Sequence, residues 1–114
     1  MAKIKIVTDK VEMLATLNES ESAKTFYDAL PLEGSANRWG DEVYLDISLA
    51  MPEEDPQAEA PPGTIAYWPP GRAFCIFFGQ TPYSPVSLLG TLDGDPTEFA
   101  QVPSGETVRL EKAE

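Results

Sequence analysis

The chain has 114 residues, 42% of them hydrophobic, and a formal charge of −11 from 8 basic and 19 acidic side chains. This is enough material for one domain, residues 1–114, around one core, while the charge would repel nucleic-acid phosphates and anionic membranes. Histidine is absent, which removes Ser-His-Asp and Cys-His catalysis and histidine metal ligands. Cys75 is the single cysteine, so no intrachain disulfide forms and a reducing compartment is expected. MAKIKIVTDK at the start holds no apolar run of signal-peptide or membrane length, so the expected location is cytoplasmic.

Lys3–Val7 (KIKIV) alternates lysine with branched apolar residues, the pattern of a half-buried strand. Asp9 and Lys10 suit a turn, and Val11–Leu17 returns as a second strand. Ala23, Phe26, Tyr27 and Leu30 then recur at helical spacing. Ser20 or Ser22 can cap this helix, and Pro31 stops it, because the residue before proline resists helical dihedrals.

Leu32–Gly40 reads as a loop carrying Arg38 and Trp39. In EVYLDI, Val43, Leu45 and Ile47 share one face of a strand, with Tyr44 and Asp46 on the other. The stretch Ala50–Gly63, AMPEEDPQAEAPPG, holds four prolines, four acids and no base. It reads as a surface loop or partly mobile flap.

Two apolar strands follow, Thr64–Trp68 and Ala73–Phe78, joined by Pro69-Pro70-Gly71 with glycine expected to take the positive φ of the reversal. Ile65 and Tyr67 share one face of this hairpin, and Ala66 and Trp68 the other. Likewise Phe74, Ile76 and Phe78 oppose Ala73, Cys75 and Phe77. One set is core. The other needs a cover, whether the acidic flap, a second subunit or a ligand, because a continuous exposed apolar patch is unusual on a monomer.

Gly79–Pro85 is a polar loop and Leu88–Leu92 a short strand. Asp95-Pro96-Thr97-Glu98 carries helix-start chemistry for one or two turns through Ala100. A last strand spans Thr107–Glu111, with Val108 and Leu110 inward. Many short strands and only two short helices predict a mainly β fold, a closed barrel of about eight strands whose open ends the helices plug.

Several motifs together resemble the small prokaryotic cyclophilin-like proteins. They are W-G-x-E-V-Y at Trp39–Tyr44, Y-W-P-P-G at Tyr67–Gly71 and F-F-G-x-T-P at Phe77–Pro82, after an L-N-x-x-x-x-A helix start at Leu17. The resemblance spans Lys3–Glu111 and implies a cyclophilin-type β-barrel. True cyclophilins are peptidyl-prolyl isomerases whose groove carries an arginine, an F-M-x-Q segment, a tryptophan and a histidine. This chain has neither F-M-x-Q nor histidine, and Arg38, Arg72 and Arg109 sit in no matching pattern. The isomerase residues therefore do not carry over, and the catalytic residues are unknown.

Two readings stay open. The first is a binding barrel of unassigned activity, taking a small molecule or extended peptide in an aromatic groove. Trp39, Tyr44, Tyr67 and Phe77 would supply surface, while Glu42 and the Gln80, Thr81 and Pro82 segment would fix orientation. The alternative is a peptidyl-prolyl isomerase with a degenerate site, for which Arg38 is the one donor to nominate. A homodimer is a possible assembly. Asp93 and Asp95 fit turn and capping chemistry, and Glu53-Glu54-Asp55 a solvated face, so neither metal nor cofactor is expected.

Overall fold

Period-two alternation becomes burial in the structure, a computed structural model that describes residues 2–79 and 84–113. Strand β1 (Lys3–Val7) buries Ile4 and Ile6, and its antiparallel partner β2 (Glu12–Leu17) buries Met13, Ala15 and Leu17. Helix α1 (Glu21–Ala29) follows, with Ser20 as N-cap, its Oγ accepting from the Ala23 amide at 3.1 Å. A second cap comes from far along the chain. The Glu54 carboxylate accepts from the amides of Ser22 at 2.7 Å and Glu21 at 3.3 Å, where an anion meets the positive end of the helix. Glu54 is thus more than part of a solvated acidic face.

The remaining strands are β3 (Leu32–Ser35), β4 (Asn37–Trp39), β5 (Glu42–Asp46), β6 (Thr64–Trp68), β7 (Ala73–Phe77), β8 (Ser87–Leu92) and β9 (Thr107–Lys112). All nine lie in one sheet of order β3-β9-β1-β2-β8-β6-β7-β5-β4. Its two ends, β3 and β4, are separated by Ala36 alone. Residues 32–39 therefore form one bent strand that pairs with β9 through its first half and with β5 through its second. Ala36 is fixed at the bend, donating to Glu106 O and accepting from the Gly105 amide, both at 2.8 Å. This bend nearly closes the sheet into a barrel.

The expected loop at Leu32–Gly40 is thus corrected to two strands. Glu33, Gly34, Ser35 and Asn37 carry no strand signal of their own, and the pairing is imposed by β9 and β5. Counting the bent strand once restores eight.

Inside lie Ile65, Tyr67, Phe74, Ile76 and Phe78 with the inward residues of the other strands. Both helices contribute a phenylalanine. Phe26 of α1 stacks on Phe74 with centroids 5.2 Å apart and planes 7° from parallel. Phe99 belongs to a short 3-10 helix, Pro96–Gln101, capped by Asp95 through the Thr97 amide at 3.0 Å. Among the described residues, no helix is long and apolar enough to cross a membrane.

The β6–β7 reversal differs from expectation in its glycine. Residues 69–71 form one 3-10 turn, and the left-handed residue is Arg72, at φ 49°, not Gly71. Gly71 is required for another reason. A Cβ there would lie 2.7 Å from the Trp68 ring, so its absence lets the indole fold down over the turn.

Candidate ligand-binding site

The outer face of the β6–β7 hairpin carries a second apolar cluster: Ala60, Ala66, Ala73, Cys75, Phe77 and Val86. Tyr44, Trp68 and Leu88, each half-buried, pack against it. Ala60 comes from the acidic, proline-rich segment. The large rings on the two sides of this hairpin are therefore accounted for within one chain, one face by the barrel core and the other by the chain's own loop.

Register sets the shape of this face. Tyr44, Cys75, Ala66 and Leu88 stand in one row across β5, β7, β6 and β8. Two small residues thus separate two large ones, and the row spans roughly 14 Å at the usual inter-strand spacing. Asp46, Ala73 and Trp68 form the next row. The result is a trough only in its side-chain sizes: its floor of small residues is itself buried, packed in one cluster with Ala60 and Val86. The Trp68 indole N–H donates to Ser84 Oγ at 2.5 Å, fixing one wall.

Glu42 occupies one end of the trough. Gly40, at φ 59°, turns β4 into β5, so Trp39 pairs with Glu42 across the hairpin and Glu42 pairs with Phe77 on the other side. Trp39 remains 44% exposed while Glu42 is only 7% exposed. Burial pushes the Glu42 carboxyl above its usual range, partly offset by a hydrogen bond from the Cys75 thiol. The same burial, with the neighbouring carboxylate, pushes the Cys75 thiol well up. Cys75 Sγ also lies 3.9 Å from Ala73 O, a long contact, so the carboxylate is its better acceptor. The thiol is a neutral donor here and a poor nucleophile.

The structure divides the residues nominated from sequence. Trp39, Glu42, Tyr44 and Phe77 come together, with Phe77 completely buried. Tyr67 does not join them. It is in the inner core, its hydroxyl donating to Leu49 O at 2.6 Å and accepting from the Met51 amide at 3.1 Å. Arg38 pairs in register with Val43, so it too leaves the trough. Its Nη1 donates to Ala100 O at 3.1 Å and Val102 O at 3.2 Å, and Nη2 to Gly40 O at 3.3 Å. The guanidinium also sits 5.1 Å above the Phe78 ring. Gln80, Thr81 and Pro82 lie outside the described residues.

Strand alternation alone puts Ala66 with Trp68, and Ala73 with Cys75 and Phe77, but Trp68, Cys75 and Leu88 were not nominated as site residues. The usable signal was the small set Ala66, Ala73 and Cys75, opposite the large inward residues.

Comparison with known proteins agrees with the architecture. The family model described as Cyclophilin-like matches residues 2–111. The solution structure of a hypothetical protein from Archaeoglobus fulgidus superposes with a TM-score of 0.82 at 31% identity, covering 98% of this chain and 95% of that one. McbB, solved in complex with tryptophan, superposes with a TM-score of 0.76 at 17% identity. That match covers 96% of this chain but 44% of McbB, and at this identity it shows the shared fold alone. No curated protein matches the sequence. With nearly its whole length matched by the family model and nine strands rolled into one barrel, the chain belongs to the cyclophilin-like family.

Proposed function

We propose that this protein is a binding barrel that takes a small molecule or an extended peptide on the outer face of β5, β7 and β6. Trp39, Tyr44 and Trp68 are its aromatic surface and Glu42 its orienting polar group. The observation that carries this reading is Glu42 itself. A carboxylate at the end of an apolar trough, raised in pKa by burial and held in no ion pair among the described residues, marks a candidate functional group. Its natural complement is an amine or amide donor carried on an apolar body.

The test is a thermal-shift screen of amino acids, aromatic amines and proline-containing peptides. Tryptophan is the first probe, since McbB was solved with it. A ligand of this site raises the Tm of the wild type, by mass action on the folded state, and does not raise that of Glu42→Gln. A panel without shifts, or shifts equal in both proteins, overturns the reading. A homodimer joined through Trp39 would show instead as concentration-dependent sedimentation lost in Trp39→Ser.

No observation favours the isomerase alternative. The uncatalysed barrier is about 18–20 kcal/mol, and lowering it needs donors aimed at the substrate amide. Arg38, the donor nominated for that work, has its Nη atoms engaged by three carbonyls of its own chain.

A further inference from the structure

The acidic segment over the outer face is built differently from everything it covers. None of the side chains of residues 52–59 is buried, and Ala60 is the residue that seats in the cluster. Its two ends are fixed. Met51 is in the inner core and its amide donates to Tyr67 Oη at 3.1 Å. Gly63, at φ 96°, donates to Phe77 O and accepts from the Leu92 amide, both at 2.7 Å. Between these points the ties are few and polar. The Glu54 carboxylate holds the first amides of α1, and its own amide donates to Ser87 Oγ at 2.9 Å. Gln57 and Val86 exchange one pair of backbone bonds, at 2.8 and 3.0 Å. Asp55 is kept at φ 45°, a conformation that costs energy in a non-glycine residue.

We propose that residues Pro52–Pro62 are a gate over the outer apolar face, opening as a unit between Met51 and Gly63 while the barrel stays folded, with Glu54 as its latch. A segment with one buried side chain and a handful of polar ties belongs to the low-stability end of a fold. The barrel strands beneath it belong to the high end. Opening removes Ala60 from Ala66, Cys75, Phe77 and Val86, so the trough grows by the area the gate covers. This regulates the site proposed above and rests on that reading for its purpose, although its test needs no ligand.

Cys75, 1% exposed beneath the gate and the single cysteine of the chain, reports opening directly. Alkylation by iodoacetamide is followed over a urea series well below the unfolding midpoint, beside amide hydrogen exchange. The expected labelling rate is nearly independent of urea at first and joins the global unfolding line only near the midpoint. The amides of Gln57 and Val86 exchange through the same opening, while those of β6 and β7 do not. Glu54→Gln raises the low-urea labelling rate roughly fivefold, the scale of losing a good helix cap. Labelling that follows global unfolding throughout overturns the gate, as does exchange of β7 amides together with Gln57. An unchanged rate in Glu54→Gln overturns the latch. If that variant fails to fold, the wild-type urea series still decides. Either result leaves the Glu42 binding test untouched, and a failed ligand screen leaves the labelling untouched.

Discussion

Phe74 and Phe77 lie three residues apart on β7, both completely buried, with very different neighbours. Phe74 faces a core drawn from strands and both helices, and Phe26 stacks on it in parallel. Phe77 faces outward into Ala60, Ala66, Cys75 and Val86, under a loop with little buried of its own. Equal burial therefore conceals unequal support. A regular framework surrounds one ring, and an irregular strap with a few polar ties covers the other. Solvent exposure alone would not have told the two faces apart.

The largest effect expected is at Phe74. Phe74→Ala should cost about 3–5 kcal/mol in urea unfolding, since the interior cannot collapse into the space. Phe77→Ala should cost about 3 kcal/mol or less, because the strap can settle into the vacancy. Equal losses would erase the distinction between the faces.

A smaller effect tests where strap and core meet. Tyr67→Phe removes the hydroxyl shared by Leu49 O and the Met51 amide. Leaving buried polar groups unpaired should cost about 1–3 kcal/mol, a drop of about 4–8 °C in Tm for each kcal/mol in a domain near this size. An unchanged Tm would mean that the gate's first fixed point is not held there.

The smallest effect carries the opposite sign. Burial raises the Glu42 pKa, so the folded chain holds this proton more tightly than the unfolded chain. The stabilisation it gives is complete below the ordinary glutamate range and is lost as pH rises through the raised folded value. Glu42→Gln resembles the protonated form at every pH. It should therefore melt no lower than the wild type at neutral pH, and a few degrees higher at most, with the difference vanishing toward about pH 4. A Tm that falls at neutral pH would show that the carboxylate is satisfied by the protein and is a structural plug.

Most of the barrel was legible because β1, β2, β5 and the strands from β6 onward each alternate or run apolar between turn residues. The bent strand was not. Glu33-Gly34-Ser35 resembles a loop, and only the edges of β9 and β5 make it a strand. At the site, Trp39, Glu42 and Tyr44 could be grouped from sequence because a two-residue turn and strand alternation fix their relation locally. Tyr67 and Phe77 were placed in one groove although register puts them on opposite faces: Tyr67 pairs with Phe74, three residues from Phe77. The role of Glu54 was beyond reach. It caps a helix start 32 residues earlier, and no local pattern signals such a partner.

Strand β9 stands between β1 and β3 in the sheet order, which bears on how the chain is made. Residues 3–7 and 32–35 leave the ribosome well before residues 107–112, the strand that pairs with both. The stretch between Ser35 and Thr107 takes roughly 4–15 s to add at about 5–20 residues per second. Over that interval the β9-facing edge of β1 stays unpaired, able to accept a strand from another molecule, while residues 32–35 lack the partner that makes them a strand. The barrel cannot close until residues 107–112 have cleared the exit tunnel, because they are the strand that joins β1 to β3.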